Sequence, residues 1–165
     1  MIRKIALEDA ETITTIYNYY ILNSTATFEE NYVPISFFEE KITTSDTKFP
    51  WLVYEVNNTI VGYACSSPWK PRSGYKYTAE ISIYLTHDTI EKGIGTILYN
   101  ELIKQLRQQN FNAIIGGITL PNPPCVKLHE KFGFEKIAHF KKVGYKFNKW
   151  ADVGYWQLLL QEEAN

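Results

Sequence analysis

Apolar residues first recur at helical spacing at Ile13, Ile16, Tyr17, Tyr20 and Ile21, predicting a helix near 9–22 behind an opening strand in "MIRKIA". Ser36 reads as the N-cap of a second helix, with Glu39 three residues on completing a capping box. Between them "LNSTATFEENYVP" is polar around one buried-looking Phe28. The period then shortens to two. "WLVYEV" and "TIVGYACSS" flank Asn57 and Asn58, residues that tolerate left-handed backbone and so predict a tight hairpin turn. A Pro- and Gly-containing loop, "PWKPRSGYKYT", leads into the strand "AEISIYL". Helical spacing returns with Ile94, Ile97, Leu98, Leu102 and Leu106 on one stripe of a helix ending near Gln109. "NAIIGGITL" predicts a buried strand, Asn122 caps a short helix through Lys131 that Gly133 ends, and two strands follow at about 143–147 and 152–160. Antiparallel hairpins around a central strand-helix-strand unit make the expected class α+β, or mixed α/β.

Composition bounds the partners. A chain of 165 residues with 45% hydrophobic content supports one core, so 1–165 is expected to be a single domain. Lys plus Arg number 17 against 18 acids, which leaves no overall field to gather nucleic acid or an anionic membrane. The best local patch, "KKVGYKFNKW" at 141–150, also has the alternation of a half-exposed strand. The amino terminus lacks the apolar stretch of a secretory signal, and no later run approaches membrane-spanning length. A cytoplasmic location without a membrane partner is therefore expected. Cys65 and Cys125 lie far apart, outside Cys-x-x-Cys spacing, and the three histidines are scattered, so neither a disulfide framework nor a metal site is expected.

The point where "AEISIYLTHDTI" gives way to "EKGIGTILYNEL" carries the chemistry. A helix amino terminus presents unpaired N–H groups and the positive end of its dipole, and Gly93 and Gly95 let an anion approach that backbone. No Gly-Lys-Ser/Thr follows, and Leu98 stands where a dinucleotide fingerprint has its third glycine. By itself Gly-Ile-Gly leaves open a turn that only relieves crowding.

The wider sequence resembles the GCN5-related N-acetyltransferase superfamily, in which a Q/R-x-x-G-x-G/A loop between strand and helix binds the pyrophosphate of acetyl-coenzyme A (acetyl-CoA). "NPPCVKLHEKFGFEKI" is similar to a second superfamily segment. "IYNYYILNSTATFEE", "SSPWKPRSGYKYTAEISIYL" and "VGYKFNKWADVGYWQLLL" resemble the phosphinothricin and methionine sulfoximine acetyltransferases within it. The resemblance implies a twisted, mostly antiparallel sheet flanked by helices and splayed at the acetyl-CoA site. It also implies direct acetyl transfer to the amino group of a small amino acid or analogue such as phosphinothricin, methionine sulfoximine or methionine sulfone. One departure stands out: the loop opens with Ile90 where the family has a basic or amide residue, and Glu91 replaces the usual glycine.

The resemblance implies roles for single residues. The loop Glu91, Lys92, Gly93, Ile94, Gly95 and Thr96 would hold the pyrophosphate, and backbone of Ile83, Tyr84 and Leu85 the thioester carbonyl and pantetheine arm. Asn122, a sufficient helix cap, would also touch that arm, with Cys125 a small side chain beside it. Glu80, on the strand face opposite Ile81, Ile83 and Leu85, would take the amine proton through water or after desolvation raises its pKa. His129 stands where many members carry a tyrosine acid; it suits protonation of the leaving thiolate or relay of the amine proton, and equally a packing role. Phe28 would wall the amine site, and Lys70, Arg72 and Tyr75 would receive an acid group. Tyr155 and Trp156 fit a homodimer interface or core. Other acceptors, such as a protein amino terminus or a polyamine, remain open, as do a non-catalytic acetyl-CoA sensor and a nucleic-acid module on 141–150.

Overall fold

Asn57 and Asn58 both take left-handed backbone, with φ of 49° and 62°, and close the hairpin between β2 (Trp51–Val56) and β3 (Thr59–Pro68). The computed structural model describes residues 1–89 and 92–161, so Ile90 and Glu91 lie outside the described residues. Around the hairpin stand β1 (Ile2–Lys4), β4 (Thr78–Leu85), β5 (Ala113–Leu120), β6 (Glu135–Lys146) and β7 (Lys149–Leu159). They form one seven-stranded sheet in the order β1-β2-β3-β4-β5-β7-β6. Among the described residues only β4 and β5 pair in parallel; the other neighbours are antiparallel. The class is α+β, as the hairpins and the central crossover predict.

Alternation along β2 divides the core. Val53 packs under α1 (Ala10–Asn23) and α2 (Ile35–Thr44) with Ile13, Ile16, Phe38 and Tyr63. Its neighbour Leu52 joins the opposite face, beneath α3 (Ile94–Gln108), with Leu98, Leu102, Leu106, Ile114 and Trp156. Helices thus cover both faces of the sheet, and α4 (Pro123–Lys131) follows β5.

Four expectations need correction. Helix α2 starts at Ile35, one residue before Ser36, and Pro34 is its N-cap without a side-chain hydrogen bond; its φ of −75° and extended ψ already set the entry conformation. On α3, Ile97 is 43% exposed, whereas Tyr99 and Ile103 are buried, because the buried arc is centred on Leu98 and Leu102. Phe28 is 37% exposed, a rim residue rather than a core one. The first late strand begins at Glu135, not near 143. β6 is an edge strand with two register shifts, and Lys142 sits at φ 50°, so a bulge breaks the alternation that betrays a strand.

Candidate active site

β4 and β5 pair through Thr78↔Ala113, Ala79↔Ile114 and Glu80↔Ile115; among the described residues no strand joins this edge of β4 beyond Glu80. The strands part there while β4 runs on to Leu85 and β5 to Leu120. Trp69 N–H donates to the Thr78 carbonyl and Thr86 N–H to the Val61 carbonyl, so even-numbered residues of β4 turn their backbone toward β3. By alternation Ile83 and Leu85 turn theirs into the fork, and Tyr84 belongs to the β3 side. The Tyr20 hydroxyl donates to the Leu85 carbonyl at 2.6 Å. A cleft of about 430 Å³ fills the fork, walled by Ile81 to Leu85 on one strand and Gly117 to Thr119 on the other.

The amino terminus of α3 closes one end of this cleft. Gly93, at φ 92°, is the N-cap in left-handed backbone that a side chain would strain. Gly93, Gly95 and Thr96 line the cleft, and a Cβ at Gly95 would touch Ile83 and Leu128 across it. The first N–H groups of α3 have no intrahelical acceptor. Lys131 Nζ donates to Thr96 Oγ1 at 3.3 Å, bringing an ammonium to the same turn. Ile94 is buried in the core, and Lys92 is exposed in the preceding turn.

A second cavity, of about 440 Å³, adjoins the first through Ala26, Gly117 and Thr119, which line both. Its walls include Phe28, Phe140, Val143 and Tyr155, and among the described residues its one carboxyl is Glu80. Glu80 is the last residue of β4 paired with β5 and therefore stands at the root of the fork. Burial raises its pKa above the ordinary range, and the nearby Lys70 charge opposes that rise.

His129 is 2% exposed between Tyr99 and Phe134, at the inner wall of the cleft. Its Nδ1 is 2.8 Å from the Cys125 carbonyl, which only accepts, so Nδ1 carries the proton and Nε2 faces the Tyr99 hydroxyl at 3.4 Å. Burial lowers the pKa of His129 against the smaller opposing effect of that carbonyl. Cys125 Sγ lies 3.7 Å from Nδ1, the nitrogen already committed as a donor, and burial pushes the thiol up to about 11. Asn122 both caps α4, accepting from Cys125 N–H at 3.3 Å, and lines the cleft.

A forked parallel pair, a glycine turn at a helix start and a carboxylate at the root of the fork coincide with a family match: the acetyltransferase (GNAT) domain matches residues 2–154. The chain belongs to the GNAT acetyltransferase family. It is 36% identical over 157 residues to a phosphinothricin N-acetyltransferase of Streptomyces viridochromogenes, covering 94% of this chain and 85% of that one. It is 32% identical over 160 residues to an L-methionine sulfoximine/L-methionine sulfone acetyltransferase of Salmonella typhimurium, covering 94% and 92%. The crystal structure of a GNAT phosphinothricin acetyltransferase from Sinorhizobium meliloti in complex with acetyl-CoA superposes with a TM-score of 0.94 at 30% identity, over 99% of this chain and 90% of that chain.

Within this GNAT frame the predicted residues separate. Ile83, Tyr84, Leu85, Gly93, Gly95, Thr96, Asn122, Cys125 and His129 gather at the cleft, and Phe28 and Glu80 at the adjoining cavity. Lys70 lies over the Trp69 ring at 5.0 Å, beside the cavity, while Arg72 and Tyr75 sit on the exposed 3-10 turn region beyond it. Trp156 is buried, its indole N–H donating to Glu130 at 3.3 Å, whereas Tyr155 walls the cavity. Sequence reasoning passed over Tyr20, Tyr99 and Thr119, and gave Tyr155 no place beside Glu80. A signal for the close packing at His129 and Tyr155 was present: Gly116 and Gly117 in mid-strand. A Cβ at Gly116 would overlap the His129 ring, and one at Gly117 would lie 3.2 Å from Tyr155 Cε1.

Proposed function

We propose that the protein is an acetyl-CoA-dependent N-acetyltransferase for the amino group of a small amino acid or analogue of the phosphinothricin, methionine sulfoximine or methionine sulfone type. The observation that carries this reading is the continuity of the forked cleft with a second cavity whose carboxyl, Glu80, stands where the strands part. The residues fit the cofactor: a free strand edge for an extended amide-bearing arm, and unpaired N–H groups at the start of α3 for its pyrophosphate, with the Lys131 ammonium at Thr96 adding a cation to that turn. Bound there, acetyl-CoA supplies an activated acetyl thioester.

Glu80 takes the proton of the ammonium or amine, directly or through water; its raised pKa makes it a better base than an exposed glutamate. Backbone N–H of Ile83 and Leu85 faces the fork and offers donors to a developing oxyanion. His129 is held neutral, with Nε2 available to receive a proton through the Tyr99 hydroxyl and return it toward the thiolate that would leave as the N–C bond forms and the thioester C–S bond breaks. Phe28 and Tyr155 give the acceptor an apolar seat. Lys70 supplies a cation for its acid group, and Arg72 and Tyr75 complete that edge on the same loop.

The closing test of this reading is Glu80→Gln. Turnover should fall roughly a hundredfold or more, with acetyl-CoA affinity nearly unchanged; full turnover in the variant would remove Glu80 from the chemistry. We further propose a homodimer, supported by exposed apolar side chains on the β6–β7 hairpin at Ile137, Val143, Tyr145 and Trp150. A cytoplasmic location is supported by the two free cysteines.

A further inference from the structure

The loop between α1 and α2 has no strand or helix of its own at residues 24–28, yet Ala26, Thr27 and Phe28 wall the acceptor cavity. What holds it comes from the far end of the chain. Lys146, on β6, is 3% exposed, and its ammonium donates to the carbonyls of Ser24 at 2.7 Å, Thr27 at 2.8 Å and Tyr20 at 3.4 Å. Three donors thus meet three backbone acceptors and, among the described residues, no carboxylate; Glu30 and Glu29 act on it only at longer range. Two of those carbonyls end α1, where the negative end of the helix dipole favours a cation. Further pins come from the Tyr17 hydroxyl, 2.7 Å from Thr27 Oγ1, and the Tyr84 hydroxyl, 3.3 Å from the Ala26 carbonyl. Two residues before Lys146, Gly144 lies against Phe28, and a Cβ there would overlap the ring.

Burying an ammonium is costly unless its donors are hydrogen-bonded, and here all of them are spent on the backbone of this loop and the helix end before it. We infer that Lys146 and Gly144 are positioning residues for the acceptor: the ammonium fixes the 24–27 backbone and the glycine seats Phe28, so the cavity has its wall before the amine arrives. The inference rests on reading that cavity as the acceptor site. Neither residue lines the cavity or the cleft, so each acts through the loop.

The test is steady-state kinetics of Lys146→Met, Gly144→Ala and Phe28→Ala with both substrates varied, beside their thermal melts. Lys146→Met should raise the KM for the amine about tenfold or more, the effect of losing charged hydrogen bonds. The KM for acetyl-CoA should stay within about twofold, since the cleft keeps its strand and helix walls. Gly144→Ala removes no hydrogen bond and should displace Phe28 into the cavity, reordering acceptors so that those with the bulkiest side chains lose most. A folded Lys146→Met with an unchanged amine KM, or with an acetyl-CoA KM raised equally, overturns the inference. If Lys146→Met does not fold, Gly144→Ala decides, and an unchanged ranking of acceptors overturns it. Failure of the cavity reading itself looks different, because Phe28→Ala would then also leave the amine KM unmoved.

Discussion

Cys125 and His129 stand one helical turn apart, the spacing of a thiol-imidazole nucleophile, but the proton inventory does not allow one. Nδ1 gives its hydrogen to the Cys125 carbonyl, and the thiol, pushed up to about 11, stays protonated. Cys125→Ala should therefore keep turnover within about threefold, a change of roughly 0.6 kcal/mol in the barrier, and no acetylated cysteine should appear by mass spectrometry. His129→Gln is expected to lower kcat by roughly ten- to a hundredfold if the imidazole relays protons; a folded variant with unaltered kcat assigns it to packing. For Glu80 the sign of the pH effect is fixed. A base must be ionised, its folded pKa is raised, and so activity is lost as pH falls through a value above the ordinary 4.5. That acid limb should vanish in Glu80→Gln. These side chains were readable from sequence by type and spacing, but the burial that shifts their protonation was not, because it comes from the folded packing of distant segments, as where Tyr99 and Phe134 enclose His129.

Among the elements, α3 shows how helical spacing under-determines a face. Leu98→Ala, at a fully buried position, should cost about 2–5 kcal/mol of stability, whereas Ile97→Ala, next to it on the predicted stripe, should stay within roughly 0.5 kcal/mol. Denaturant unfolding of the pair checks the register of the helix. The start of the fold is tied differently. Arg3 on β1 donates to Asp9 at 2.7 and 2.8 Å and to Glu55 on β2 at 2.6 Å, and Asp9 also accepts from Ala6 N–H. Arg3 above all, then the Ala6 hydrogen bond, holds the Asp9 carboxyl below its usual 3.8. The folded pKa is depressed, so this stability is present above the unfolded value and lost as pH falls from 3.8 through the folded one. Asp9→Asn should flatten the acid limb of the melting temperature below about pH 4; an unchanged limb would mean the tie contributes nothing. β6 escaped the sequence reading because edge strands need not alternate and this one is bulged. The helix caps divided: Asn122 was readable, and Pro34 displaced the cap expected at Ser36.

At the scale of the molecule, the order of strands around one parallel pair creates the function. A regular ladder between β4 and β5 would leave no cleft; pairing that stops at Glu80 frees a strand edge and places a carboxylate at its root. Period, turn residues and the glycine loop made the strand-helix-strand core legible, and the resemblance supplied the expectation of a splay. The link between Lys146 and the 24–28 loop was not legible, since its partners lie more than a hundred residues apart and are backbone carbonyls without side-chain identity. If the exposed apolar side chains of the β6–β7 hairpin pair two copies, light scattering on the purified protein will give the mass of two chains, falling to one when Trp150 and Tyr145 are both changed to Asp.

The most direct test of the central claim is thiol release from acetyl-CoA across methionine sulfone, methionine sulfoximine, phosphinothricin, ordinary amino acids and a polyamine. Saturable turnover with the acidic amino-acid analogues, and little with the polyamine, is the expected result. Binding of acetyl-CoA with no acetylation of any amine would contradict the account.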